Sequence, residues 1–427
     1  MQVFYGTPDA TRSRTQIAFP YAGGSGIAVR SYDSNKSVWS EWNLVYTANT
    51  PPPVMNGATS SKAGTAGLAP SPAAGAQGKF LRGDGTWQTP YTHPSYAAKV
   101  SGLYKITVDK MGHVSGAEAI HTGRAARFVV GTSTAGWTEA DCDYLCDGTS
   151  DQTEINAAIA ALPSGGGNIL LLDGTYNITS PITIEKNNVS LHGCGPATVL
   201  ARRFNSTSDD GPTGLIDCLC ADCTVFNISI DGNKSEYPSL INRGIFARES
   251  SVNVTIEEVS ISDSRDGIYF GKIKGGCIKG CNIINSVNAI HIYNAIGIDI
   301  SHNNINTTTS EAVACTGAKL IEISGNHITG SSKNGIRTTD GTTMCNIVNN
   351  ICLDNAGGIS LEDTSMCNVS GNLCMRGSGT PSDYDSTNAT IRATSGSANN
   401  IISGNLVMGK DVDDSGTGNL VVNNKFE

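Results

Sequence analysis

An all-β chain wound into a right-handed, single-stranded parallel β-helix is the fold that the sequence predicts, and three observations carry it. The segments GIFA, GIYF, AIHI, AVAC, GIRT and GISL begin at Gly244, Gly267, Ala289, Ala312, Gly335 and Gly358, giving spacings of 23, 22, 23, 23 and 23. A second column, Ile256, Ile278, Ile300, Ile323, Ile347 and Val369, keeps nearly the same period. Three residues after each stands Val259, Cys281, Asn303, Asn326, Asn350 or Asn372, and the pattern returns at Ile402/Asn405 and Val421/Asn424. Third, glycine and proline together make 64 of 427 residues (49 plus 15) while charged residues make only 16%, a composition that excludes a helical bundle or coiled coil. Two strand columns and an Asn column on one period describe a coil whose turns stack through parallel hydrogen bonds. The Ile columns bury a continuous core, and inward Asn side chains satisfy turn backbone above and below.

The remaining elements follow in chain order. Residues 1–50 hold alternating and aromatic stretches, AVRSYDSNKSVWSEWNLVYT, that read as short strands with Trp39 and Trp42 close together. Residues 51–78 are rich in Pro, Ala, Gly, Ser and Thr, without amphipathic period, and form a linker or collar. In 79–130, the run at 103–108 and the turn at 109–113 predict one hairpin, and Arg82-Gly83-Asp84 within FLRGDGTW reads as a tight turn. The coil is assigned to 131–427. In GTSDQTEINAAIAALPSGGG, Asp151 and Glu154 form a capping box ahead of Ile155, Ile159 and Leu162, giving one helix near 151–162 that Pro163 stops. It is expected to cover the coil's open N-terminal edge. Short strands follow at 169–172, 176–178, 182–184 and 189–191.

Net charge is 29 minus 38, or −9, which argues against nucleic acid as the main partner. No run of 18 apolar residues marks a membrane span, and MQVFYGTPDATRSR lacks a signal-peptide core. Thirteen cysteines leave at least one unpaired. Cys345 and Cys367 share one inward column, and Cys352 and Cys374 take the slot of Ile261, Ile283, Ile305 and Ile328, so all four read as small core hydrophobes. Cys218, Cys220 and Cys223 lack a second Cys or His pair at zinc spacing. Buried free thiols fit folding in a reducing cytoplasm, and no metal or cofactor is expected.

Three stretches carry a resemblance. DCDYLCDGTSDQTEINAAIAALPSGGGNILLLDGTYNITSPITIEKNNVSLHGCG resembles the start of pectate-lyase-like β-helix modules in phage and prophage tail proteins. AGTAGLAPSPAAGAQGKFLRGDGTWQTPYTHPSYAAKVSGLYKITVDKMGHVSG looks like connecting segments of tail fibres and tailspikes, and AVRSYDSNKSVWSEWNLVYTANTPP is similar to the end of a pyocin-knob domain. The resemblance implies a homotrimeric fibre or spike on a virion tail, assembled in the bacterial cytoplasm, with an N-terminal part on baseplate or tail proteins and a β-helix meeting the host surface. No segment is visible after NLVVNNKFE, so the coil or its tip is expected to be the distal surface.

Functional candidates follow from the columns. The outward row Phe246, Tyr269, His291, Ala314, Arg337, Ser360 runs beside Arg248, Gly271, Tyr293, Thr316, Thr339, Glu362. Rings interleaved with Arg and His, about 4.8 Å apart per turn, suit sugar stacking and acidic substituents; such a row also suits plain solvent exposure or subunit packing. Asp340 and Asp363 share one offset, so they should stand one turn apart, about 5 Å, with Glu362 beside them, near a retaining-glycosidase separation. The same three residues also suit a calcium ion. Asp266 and Glu311 should stand two turns apart, about 9 to 10 Å, near the inverting separation. Each carboxylate equally suits an ordinary turn. The aspartate and arginine pattern of pectate lyases is not assembled in any column, and His192-Gly193 lacks the other polygalacturonase motifs. Between Asn372 and Asn405 the repeat lengthens to 33 residues, placing Asp383, Tyr384 and Asp385 in a protruding loop suited to recognition. The expected function is binding of a bacterial surface glycan during host recognition. Depolymerisation of that polysaccharide and a structural spacer role are the alternatives.

Overall fold

The computed structural model describes residues 2–5, 14–19, 26–45, 56, 59–65, 69, 72–82, 86–91, 104–119, 126–207, 213–249, 251–376 and 389–426. The chain divides into two compact units, 1–98 and 99–427.

In the first unit, Gln2–Tyr5, Arg14–Ala18, Ile27–Asp33, Val38–Trp39 and Asn43–Val45 form an antiparallel sheet. The expected closeness of Trp39 and Trp42 has a cause: the Arg30 guanidinium lies 4.9 Å from one ring and 4.6 Å from the other. Phe80–Leu81 pairs with Trp87–Gln88; of the expected turn at Arg82-Gly83-Asp84, Gly83 and Asp84 lie outside the described residues.

The second unit opens with the expected hairpin, Tyr104–Val108 against Val114–Ala119. From Arg127–Thr132 onward the chain is a parallel β-helix of three sheets with 13, 11 and 10 strands. The first sheet runs through Gly167–Leu171 and Val189–His192 to Leu420–Val422. The second runs from Gly174–Ile178 to Lys425–Phe426, and the third from Ile182–Ile184 to Val412–Asp414. Coiling therefore starts well before the periodic tract. Its early turns hide from a repeat search because they are irregular: Ser190 pairs Thr224 and Thr224 pairs Thr255, whereas Val252 pairs Lys274 and Lys274 pairs Ile296.

Inside, Ile245, Ile268, Ile290, Val313, Ile336 and Ile359 stack in the third sheet, each at most 1% exposed. The Asn column forms a ladder. Asn326 Nδ2 donates to the Ile300 carbonyl (2.8 Å) and to Asn350 Oδ1 (2.9 Å), while its own Oδ1 accepts the Asn303 N–H (2.9 Å). Asn303, Asn350, Asn372 and Asn405 repeat these bonds. The cysteines are more than space fillers: Cys367 Sγ accepts the Cys345 N–H at 3.2 Å, the task Asn400 performs for Cys367 one turn later.

The single long helix, α1 (Gln152–Ala161), buries Ile155, Ala158 and Ile159 against the first strands of all three sheets and closes that end of the core. The capping box does not form. Asp151 turns away from the helix, accepting the N–H groups of Gly148 (2.8 Å) and Asn177 (2.7 Å), and so ties the helix start to the second sheet.

Candidate functional site

The third sheet presents the outward row in strict register: Asp217, Phe246, Tyr269, His291, Ala314, Arg337, Ser360 and Arg392 stand on successive turns. Alternation along each strand fixes this, because the flanking Ile positions point inward. Phe246 and Tyr269 meet edge to face at 5.4 Å, and Tyr269 meets His291 at 4.7 Å. The expected exposed aromatic row needs correction at Phe246, which is only 6% exposed. Arg243 lies 4.6 Å above its ring and Arg248 lies 5.7 Å away. Tyr293, 37% exposed, is the ring most open to solvent in this region.

One cleft and one small side chain interrupt the row of large groups. The first is a shallow cleft of about 340 Å³ lined by Arg243, Phe246, Arg248, Glu249, Tyr269, Gly271, Lys272 and Tyr293. Gly271 stands between Arg248 and Tyr293 in the second outward row, and a Cβ there would meet Tyr269 Cε1 at 2.9 Å. Glycine is therefore what leaves room for the Tyr269 ring at this position.

The second is the small side chain of Ala314, between His291 and Arg337. Arg337 bridges two carboxylates. Its Nε and Nη2 donate to Glu362 Oε2 at 3.0 and 2.6 Å, and its Nη1 lies 3.7 Å from Glu311 Oε1. Burial pushes the Glu362 carboxyl up, but hydrogen bonds from Arg337 and Ser360 outweigh it and hold the group below the usual range. Glu311 is 5% exposed, with Ser310 Oγ donating to it and Lys333 at 4.0 Å. Asp266, also 5% exposed, accepts Asn288 Nδ2 at 2.7 Å. Asn288 stands on the turn between Asp266 and Glu311, so the two carboxylates are two turns apart as expected. Burial lowers the His291 imidazole, and the nearby charges of Asp266 and Glu311 oppose that shift.

Asp340 and Asp363 stand one turn apart, as expected, but in a turn position of their own. Lys272, Asn294, Gly317, Asp340 and Asp363 fill it on successive turns, all with φ between 49° and 62°. Asp is favoured there because it tolerates the left-handed region, which accounts for the pair without catalysis. Both are exposed. Among the described residues, the group of three acidic or thiol side chains close enough to share an ion is Cys146, Asp151 and Glu154 at the start of α1. Asp340, Glu362 and Asp363 do not gather in that way. The two oxygens of Asp151 already accept backbone N–H groups, which marks that cluster as structural. Cys218, Cys220 and Cys223 sit in the core at 2% exposure or less. His192 stacks on Phe226 at 4.7 Å in the first sheet, away from the third-sheet row. Asp383, Tyr384 and Asp385 lie outside the described residues.

One site residue was missed. Asp217 opens the outward row one turn before Phe246, is fully buried, and has an Oδ2 without a hydrogen-bond partner among the described atoms. Burial pushes its carboxyl up to about 7 against the opposing effects of the Gly214 N–H, Arg248 and Arg202. Its turn lies before the periodic tract, so only counting back from Phe246 across an irregular loop could have found it.

A family model described as right handed beta helix region matches residues 243–426, in agreement with the handedness expected. No curated protein sequence matches the chain. Solved structures do. The Dettilon tailspike protein (gp208) superposes with a TM-score of 0.50 at 16% identity, over 66% of this chain and 59% of that one. DFA-IIIase from Arthrobacter chlorophenolicus A6 without its lid, in complex with GF2, gives 0.54 at 14% identity, over 71% and 99%. A hyperthermoactive exopolygalacturonase from Thermotoga maritima gives 0.50 at 12% identity, over 65% and 87%. The alignment spans less than two thirds of the tailspike, and at these identities the likeness is one of fold.

Proposed function

We propose that this chain is a phage tail fibre or tailspike whose third-sheet face binds a bacterial surface glycan during host attachment. The observation that carries the reading is the outward row itself. Tyr269, His291 and Tyr293 stand beside Arg248 and Arg337 on a rigid sheet, with a cleft at Gly271 and a small side chain at Ala314. Aromatic faces and fixed guanidinium donors are the groups that recognise sugar rings and their polar substituents, and strands hold them more rigidly than loops would. A tailspike among the structures of similar fold supports the setting. Attachment to baseplate or tail proteins, a homotrimer and a place in the virion tail belong to the same proposal, as does a glycan contact from Tyr384.

A second reading, depolymerisation, has one observation behind it. Ala314 opens the row beside Glu311, and Asp266 stands two turns away, a spacing of about 9 to 10 Å at the upper end of what leaves room for a water in an inverting hydrolase. The aspartates at 340 and 363, with Glu362 held by Arg337, support it less.

A panel of purified capsular and wall polysaccharides separates these readings. Retention of one polysaccharide by the protein, without new reducing ends or absorbance from unsaturated sugars, is the expected result. Release abolished by Glu311→Gln or Asp266→Asn would make the chain a hydrolase or lyase at that pair, and release lost only in Asp340→Asn or Asp363→Asn would move the site. No retention of any polysaccharide would overturn the proposal.

A further inference from the structure

The third-sheet face is electrically lopsided. Around the Gly271 cleft stand three cations, Arg243, Arg248 and Lys272, and one carboxylate, Glu249, on a chain whose net charge is −9. Further along the coil the outward acids Glu311, Asp340, Glu362 and Asp363 outnumber the cations Lys333, Arg392 and Arg337, the last engaged between Glu311 and Glu362. The cationic end is also the aromatic end.

The cleft is built rather than accidental. Arg243 is 6% exposed and lies 4.6 and 4.2 Å over the Phe246 and Tyr269 rings, with Nη1 donating to Thr213 Oγ1. It lends fixed positive charge to the floor. Arg248 and Tyr293 form two walls across Gly271, one turn to either side. Lys272 closes the rim, 3.5 Å from Glu249, with both side chains more than half exposed (52% and 76%). An ion pair so exposed is worth little and yields readily to a ligand. Two further acids lie close by: Asp217, buried on the turn beneath Phe246, which burial keeps protonated over part of the range below neutrality, and Asp266, 5% exposed, in register with Arg243 and 3.5 Å from Arg265. The volume of about 340 Å³ suits one or two sugar rings rather than a long chain.

We infer that the Gly271 cleft is a subsite for a carboxylated sugar, a uronate or similar acidic residue of the surface glycan, with its ring against Tyr293 and its carboxylate between Arg248 and Lys272. A planar carboxylate matches the guanidinium fork of Arg248. The acidic groups around Glu362 repel the same residue, so the lopsided charge would place the acidic sugar at the 243–293 end and a neutral stretch of the polymer near Ala314. This inference rests on the attachment reading and deepens it.

The test uses capsular polysaccharides containing glucuronate or galacturonate, each in native form and after chemical reduction of its carboxyl groups to the neutral sugar, with dextran as a control. Affinity for the native form is expected to fall about tenfold or more on carboxyl reduction, the loss of roughly one charge-assisted interaction. Arg248→Gln and Lys272→Gln should each weaken binding of the native form several-fold more than binding of the reduced form. Lys272 is exposed enough that its variant will fold. Equal affinity for native and reduced forms, or retention of neutral polysaccharides alone, would overturn the acidic subsite and leave the attachment reading standing. Retention of none, native or reduced, would remove both.

Discussion

Asn326 shows how much of the coil depends on single polar side chains. It is 1% exposed, and its carboxamide serves the Asn303 N–H, the Ile300 carbonyl and the next Asn of the ladder. Asn326→Ala leaves at least two buried backbone groups unpaired, at about 1–3 kcal/mol each, so a destabilisation of about 2–5 kcal/mol is expected from the denaturation midpoint. A loss below about 1 kcal/mol would mean that water replaces the ladder. Asp217 makes a prediction of opposite kind. Its folded-state carboxyl sits at about 7, above the unfolded value, so the folded state holds the proton more tightly. The stability tied to that proton is fully present below the ordinary carboxylate range and is lost as pH rises toward 7. In melting temperatures, Asp217→Asn should therefore gain on the parent protein between pH 5 and pH 8; a constant difference across that range would contradict the assignment. Asn326 was legible because its column repeats, while Asp217 was not, because burial under an irregular loop leaves no mark in composition or period. Phe246 failed for a related reason: alternation gives its direction, but not the arginines that cover it.

At the scale of elements, the turns are interchangeable where register is exact. Ile296 stands opposite Lys319, and Ile298 and Ile300 stand opposite Ile321 and Ile323. Deleting residues 296–318 removes one turn and joins two that already match, so the shortened chain should stay soluble, keep a β-rich circular dichroism spectrum and melt cooperatively. Deleting 296–317 leaves one residue too many, so the downstream Ile side chains must turn out of the core or the excess residue must be absorbed as a bulge. That variant is expected to aggregate. If both deletions behaved alike, stacking register would not be what specifies the coil. Helix α1 is the exception to interchangeability, since Ile155 at 0% exposure seals the first turn. Its amphipathic spacing was readable from sequence. The role of Asp151 was not, because its bonds run to Asn177, 26 residues away, rather than within the helix.

For the whole molecule, the fold was legible far beyond the site. A period maintained over six turns specifies strands, core and outward rows together, whereas side-chain ion pairs such as Arg337 with Glu311 and Glu362 link turns in ways that no single spacing announces. The claim at stake is that one face of the three-sided coil, the third sheet, meets the glycan. The alternative face is specific enough to compare: the second sheet carries Ile351 at 38% exposure, in register with Leu373 and Leu406. The decisive measurement is the affinity of a retained polysaccharide for the parent protein, Tyr293→Ala and Ile351→Ala. Tyr293→Ala is predicted to lose about tenfold or more at an unchanged melting temperature, with Ile351→Ala binding like the parent. Full affinity in Tyr293→Ala together with lost affinity in Ile351→Ala would move the glycan to another face and contradict the account.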